Sequence, residues 1–241
     1  MGRYDIVLLD ADMTIFDFER SEKESLHRTL QTHGLPCTDE VEATYLKINH
    51  ALWDAFARGE VDQDFLVVER FAALGRVYNM DWDAGKVNRD YLNGLGEEAH
   101  LLPGAMEFCQ TLRDMGLTLA IATNGMPVAQ RGRYTRTGMG KVIPHIFISM
   151  ELGVQKPMPA YFDKVCDALN ITDRSRVVMV GDNLSSDILG GNNAGMDTIW
   201  YNPKGLPLTG AAKPTYTVTN YGEIAHRTLR PRQIRSGLLQ L

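Results

Sequence analysis

Five short apolar runs set the terms for this chain: YDIVLL (residues 4–9), LTLAIAT (117–123), HIFIS (145–149), RVVMVG (176–181) and DTIWYN (197–202). Each is continuous rather than alternating, so each describes a strand covered on both faces. A sheet covered on both sides needs helices between its strands. PGAMEFCQTLRDMG supplies one, with Pro103 at its start and Gly116 as its stop, and PMPAYFDKVCDALN and SSDILGGNNAG supply two more. This alternation predicts an α/β fold built on a doubly wound parallel sheet.

From about Asp17 to Gly96 the rhythm stops. No strand is apparent there, and the residues read as several helices, such as TDEVEATYLKINHALWDAFARG with Thr38 or Asp39 as N-cap and Gly59 as terminator. The predicted organisation is an α/β core of residues 1–16 and 97–241 carrying an inserted, all-helical cap domain of residues 17–96. Its two crossings, near Phe16 and near Gly96–Leu102, are the expected hinge. The basic end RTLRPRQIRSGLLQL reads as a solvated terminus.

The formal net charge of the 241 residues is −5, so no broad basic field gathers a nucleic-acid polymer. A small anionic ligand needs only a local positive site. Cys37, Cys109 and Cys166 lie far apart without CxxC spacing, as expected of free core thiols in a reducing compartment. No stretch approaches the ~18–20 apolar residues of a membrane span, so no membrane partner is expected and the protein is read as cytoplasmic. The six histidines are scattered and assigned no metal, and the P-loop and GxGxxG fingerprints are missing. No feature sets an oligomeric state.

In an open parallel sheet, ligands sit outside the carboxyl ends of the strands. Polar residues gather at those ends here: Asp10, Asp12 and Thr14 after the first run, Thr123 and Asn124 after the second, Lys156 after the third, and Asp182, Asn183 and Asp187 after the fourth. Carboxylates, a hydroxyl with amide donors and one ammonium fit phosphoryl transfer. One carboxylate attacks phosphorus and divides a hard hydrolysis into two easier steps. A second gives a proton to the departing alkoxide and later takes one from water. Spacing at i and i+2 puts Asp10 and Asp12 on the same side of an extended segment. Their repulsion is tolerable beside a divalent cation, and hard oxygen ligands near phosphate favour Mg²⁺, with Asp182 completing the site. Thr123 and the amides around Asn124 are donors for phosphoryl oxygens, and Lys156 holds nucleophile and phosphate by charge. Asp187, one helical turn beyond Asp182, is placed either to orient a metal-bound water or Lys156, or to cap its own helix.

DADMT, ATNG, KP and GDNLSSD, in this order, resemble the four signatures of the haloacid dehalogenase superfamily of hydrolases, and the helical block resembles its inserted cap. The likeness runs to about residue 203. It implies Asp10 as nucleophile, Asp12 as acid/base, Thr123 and Lys156 as phosphate ligands, and Asp10, the Asp12 carbonyl and Asp182 as Mg²⁺ ligands. The dehalogenase branch lacks the second carboxylate of the first motif, so Asp12 implies a phosphatase. RYTRTGM, KPMPAYFDKV and the cap segment NHALWDAF look like the pyrimidine 5'-nucleotidase branch, which implies a small nucleoside monophosphate as substrate. Met13 and Asn183 depart from the common pattern, where acidic or polar residues are frequent; Asn183 is expected to weaken metal affinity.

Phe18, Trp53 and Phe56 offer rings for a base and Asn49 an amide for its edge. Asn49, Leu52, Trp53 and Phe56 also fall at helical spacing, and a buried stripe is the preferred reading. A sugar-phosphate or phosphoglycolate phosphatase uses the same core residues and differs only in the cap. A receiver-type phospho-acceptor module also uses acids, a hydroxyl and a lysine, but needs neither the insertion nor Asp12.

Overall fold

The computed structural model describes residues 3–228; the basic end expected to be a solvated terminus lies, from residue 229, outside the described residues. The chain divides into two compact units.

The first unit comprises Met1–Asp17, Leu101–Pro127 and Thr137–Leu241. Its sheet contains β1 (Ile6–Leu9), β2 (Thr118–Thr123), β3 (His145–Ile148), β4 (Val177–Gly181), β5 (Asp197–Tyr201) and β6 (Tyr216–Val218). Every pairing is parallel and the order is β3-β2-β1-β4-β5-β6. All five residues of β4 are buried, as are the last three of β1, which is why these runs are apolar without alternation. The helices of this unit are α5 (Ala105–Asp114), α7 (Ser149–Leu152), α8 (Pro159–Ala168), α9 (Leu189–Asn193) and α10 (Tyr221–Thr228). Helix α8 lays Tyr161, Phe162, Val165 and Cys166 against Leu8, Ala120, Ala122, Val177 and Met179 of the strands. The chain leaves this unit beside the point where it returns. Phe16 bridges Leu101, and the Leu102 amide donates to the Ile15 carbonyl at 2.9 Å.

The second unit contains α1 (Phe18–Thr32), α2 (Asp39–Ala57), α3 (Gln63–Tyr78) and α4 (Ala84–Glu97). Three of these start on a side chain that accepts from the first turn: Thr38 from the Val41 amide, Asp62 from Phe65 and Asp83 from Lys86. The sequence marks residues 17–96 as helical, whereas the compact unit runs Phe18–His100 and adds Val128–Arg136, nearly all of α6 (Pro127–Arg136). Close backbone contact explains the addition: a Cβ on Gly132 of α6 would lie 2.7 Å from the Gly96 carbonyl oxygen. The Arg133 guanidinium also lies over the Phe18 ring, 5.6 Å from its centroid. Of the three free cysteines, Cys109 and Cys166 are buried, whereas Cys37, expected in the core, is only half-buried. No helix among the described residues is long and apolar enough to cross a membrane.

Candidate active site

The loop after β1 is a tight backbone turn. The Asp10 amide still donates to Val180 of β4 at 2.8 Å, so Asp10 leaves the sheet in register, between the ends of β1 and β4. The Ala11 carbonyl then accepts from both Ile15 and Phe16, and the Met13 amide donates to the Phe16 carbonyl. Met13 takes a left-handed φ of 57° within this turn. Asp10 is buried and Asp12 half-buried.

Lys156 joins the strand ends. It is 2% exposed, and its ammonium donates to Asp10 Oδ1 at 2.6 Å, Asp187 Oδ1 at 2.7 Å and the Ala122 carbonyl of β2 at 2.6 Å. An ammonium has three protons, and all three are engaged. Asn124 fixes the lysine from outside: its amide nitrogen donates to the Lys156 carbonyl at 2.9 Å, and its side-chain oxygen accepts from the Lys156 amide at 3.0 Å. The Asn124 carboxamide is therefore committed to the lysine's main chain. Thr123 is buried at the end of β2, and its oxygen accepts from the Gly125 amide at 3.0 Å.

The segment after β4 opens with one π-helical turn, Leu184–Ile188. Asn183 caps it, accepting from the Ser185 and Ser186 amides at 2.9 and 3.0 Å, so its side chain serves the turn. Asp187 closes the same turn from the other side, reaching back to the backbone N–H of the N-cap residue Asn183. It is fully buried, with one oxygen on Lys156 and the other accepting from the Asn183 amide at 3.0 Å. A Cβ at position 181 would fall 2.1 Å from that second oxygen, and glycine is what lets the carboxylate in.

One carboxylate oxygen from each of Asp10, Asp182 and Asp187 lies within 4.8 Å of the others. If all three ionised, three carboxylates against one ammonium would leave two uncompensated negative charges in a largely buried site. The titration of these groups reflects that imbalance. Burial, and then the charge of Asp187, push the Asp10 carboxyl up to about 7 against the pull of Lys156. Burial and the neighbouring Asp10 hold Asp182 well above the usual carboxylate range. A divalent cation with oxygen preference fits this donor set by charge and chemistry, with Asp10, which meets Lys156 through Oδ1, and Asp182 as the side chains best placed to hold it, and Asp187 committed through both oxygens to Lys156 and the Asn183 amide.

The expected substrate contacts in the helical unit fare differently. Asn49 is 2% exposed and lies between charged neighbours: it donates to Glu22 at 3.0 Å and accepts from Arg70 at 3.3 Å. Its amide is therefore not presented to a ligand. Phe56 is buried, Trp53 is half-buried and packs edge-on against it with centroids 5.5 Å apart, and Phe18 is half-buried beneath Arg133. Sequence reading passed over Trp200, whose indole donates to the Asp182 carbonyl at 2.8 Å, and Tyr221, whose hydroxyl donates to the Thr14 carbonyl at 2.9 Å. Neither sits in a polar motif, so no local signal marked them.

Residues 4–195 match the model of the haloacid dehalogenase-like hydrolases. The chain is 32% identical over 221 residues to the pyrimidine 5'-nucleotidase PynA of Streptococcus pneumoniae, covering 92% of this chain and 93% of that one. It is 33% identical over 222 residues to the pyrimidine 5'-nucleotidase YjjG of Escherichia coli, covering 92% and 96%. A solved structure of the HAD-hydrolase YfnB from Bacillus subtilis, bound to magnesium, matches with a TM-score of 0.88 at 34% identity over 93% of this chain and 98% of that one.

Proposed function

The chain belongs to the haloacid dehalogenase-like hydrolases, and from that premise we propose that it is a Mg²⁺-dependent phosphomonoesterase acting through an aspartyl phosphate on small nucleoside 5'-monophosphates, pyrimidine nucleotides first. The observation that carries this reading is the Lys156 ammonium held between Asp10 and Asp187, with Asp182 within reach and Asp12 two residues beyond the nucleophile.

The chemistry follows from these groups. The Asp10 carboxylate attacks phosphorus; a bond forms to its oxygen and the ester P–O bond breaks. Asp12 gives its proton to the departing alkoxide. Water then attacks the aspartyl phosphate, Asp12 takes a proton from it, and the Asp10–phosphorus bond breaks to release phosphate and restore the enzyme. Lys156 holds Asp10 in place and offsets negative charge at the phosphoryl group. The Thr123 oxygen accepts from Gly125, which leaves its hydroxyl proton to donate to a phosphoryl oxygen. A bound Mg²⁺ supplies charge neutralisation to the phosphoryl oxygens, held by Asp10, the Asp12 carbonyl and Asp182.

The nucleotide preference rests on the likeness to PynA and YjjG over more than nine-tenths of the chain. Within the helical unit, Phe18 and Trp53 are only half-buried and are the candidates to meet a base; Asn49, buried and bonded to Glu22, is not. The test is phosphate release from a panel of nucleoside monophosphates, sugar phosphates and phosphoglycolate, with Mg²⁺ and with chelator. Turnover of UMP, dUMP or dTMP well above the sugar phosphates supports the reading. Preference for a sugar phosphate moves the substrate class, and a single phosphorylation without turnover points to a phospho-acceptor module.

A further inference from the structure

Strand β4 ends at Gly181 and the π-helical turn begins at Leu184, so the peptide between Asp182 and Asn183 belongs to neither element. Both of its polar ends are nevertheless held. Its carbonyl accepts from the Trp200 indole at 2.8 Å, and its N–H donates to Asp187 Oδ2 at 3.0 Å. A peptide is a rigid plane, so a donor that fixes the oxygen also fixes where the opposite N–H points.

Trp200 is well suited to that task. Its residue pairs with Gly181 across the β4–β5 ladder, one position before the peptide it holds. It is 3% exposed and packs with Ile188, Ala212, Leu184 and Leu189, so the ring has little freedom and its single N–H has one direction. From that N–H a continuous path runs through the 182–183 peptide to Asp187, from Asp187 to the Lys156 ammonium, and from there to Asp10. The same peptide carries the Asp182 side chain that completes the acidic cluster.

We propose that Trp200 is a positioning residue for the acidic site: its indole N–H orients the Asp182–Asn183 peptide so that Asp182 presents its carboxylate to a divalent cation while Asp187, bonded to the same peptide, holds Lys156 in place. This rests on the phosphomonoesterase reading above. Outer partners of metal ligands typically set affinity by factors of about 10–100, and Trp200 acts through one intervening peptide, so a change near the lower end is expected.

The experiment measures Mg²⁺ binding to the intact protein by calorimetry and by the Mg²⁺ dependence of its melting temperature, alongside kcat at saturating Mg²⁺. Trp200→Phe keeps an aromatic ring and removes the donor. A second variant replaces Trp200 with benzothienylalanine, which puts sulfur in place of the N–H at nearly the same shape and so covers the case in which phenylalanine leaves a void. The expected result is an apparent Mg²⁺ Kd raised about tenfold in both variants, with kcat at saturating Mg²⁺ within about twofold of wild type, a split that general loosening of the fold does not produce. Mg²⁺ affinity equal to wild type in the benzothienyl variant overturns the proposal. A wild-type protein that neither binds Mg²⁺ nor releases phosphate overturns the functional reading instead, so the two failures are distinct.

Discussion

Each unit of this protein buries a cation among polar groups, and the two sites solve the problem differently. In the helical unit, Arg70 is 3% exposed and donates to the Asn49 and Asn88 side chains at 3.3 and 2.8 Å and to the Val67 carbonyl at 3.2 Å. Its guanidinium lies 4.6 Å from the centroid of the Tyr91 ring, and Asn49 carries the connection on to Glu22 at 3.0 Å. One cation answers one carboxylate, with neutral amides between them. In the α/β unit, one ammonium faces three carboxylates. Burial of polar groups therefore does not mark a functional site by itself; residual charge does. The balanced cluster specifies how helices pack, while the unbalanced one stores a charge deficit that a cation and a phosphate ester complete.

The largest expected effect breaks the comparison at its functional end. Asp10→Asn should reduce phosphate release by at least about 1,000-fold, because it removes the nucleophile. The same variant, measured without metal by thermal unfolding, should be as stable as wild type or more so, since it relieves repulsion in the overcharged cluster. Wild-type turnover in Asp10→Asn removes that residue as nucleophile. Next in size, Asp12→Asn should lose about 100- to 10,000-fold on an alkyl phosphate and distinctly less on an aryl phosphate with a good leaving group. Equal losses on both would contradict the proton-transfer role.

Arg70→Met tests the other cluster. It removes the buried cation that offsets Glu22 and takes the donor away from the Asn49 and Asn88 oxygens, and should lower stability by about 3–5 kcal/mol, read from denaturant midpoints, without shifting the Mg²⁺ midpoint. A smaller effect is expected of Asn49→Ala, which should cost about 1–3 kcal/mol of stability and leave KM for a nucleotide within about twofold. A large KM change there would restore Asn49 as a substrate contact.

The smallest predicted effect is a pH dependence. Asp10 titrates near 7 in the fold against an ordinary value of 3.8, so the folded state binds its proton more tightly than the unfolded state does. Its contribution to stability is full below about pH 4 and is lost as pH rises through about 7. Metal must displace that proton, so the rise in melting temperature on adding Mg²⁺ should be larger at pH 8 than at pH 5.5. A rise that shrinks with pH would count against the overcharged description.

Much of the molecule was legible before its structure. The five apolar runs became β1 to β5 with ends moved by a residue or two, because a strand buried on both faces leaves a continuous apolar signature in its own residues. Thr38 became the cap of α2 because capping is settled within four residues. Strand β6 escaped notice since three residues, Tyr216–Val218, show no period. The membership of Val128–Arg136 in the helical unit also escaped, because the contact that decides it joins Gly132 to Gly96.

The sequence by itself determined the strand ends, and with them which residue types would gather: acids after β1 and β4, a hydroxyl after β2, a lysine after β3. Those are local facts, fixed by apolar runs, breakers and caps acting over a few positions. Only the tertiary structure decided who bonds to whom. Lys156 meets Asp10 across 146 positions, Asn124 clamps Lys156 across 32, and Asn49 turns to Glu22 rather than to a ligand across 27. A side chain's partner depends on where packing brings distant segments together, and residue type alone names only the kinds of partner it accepts.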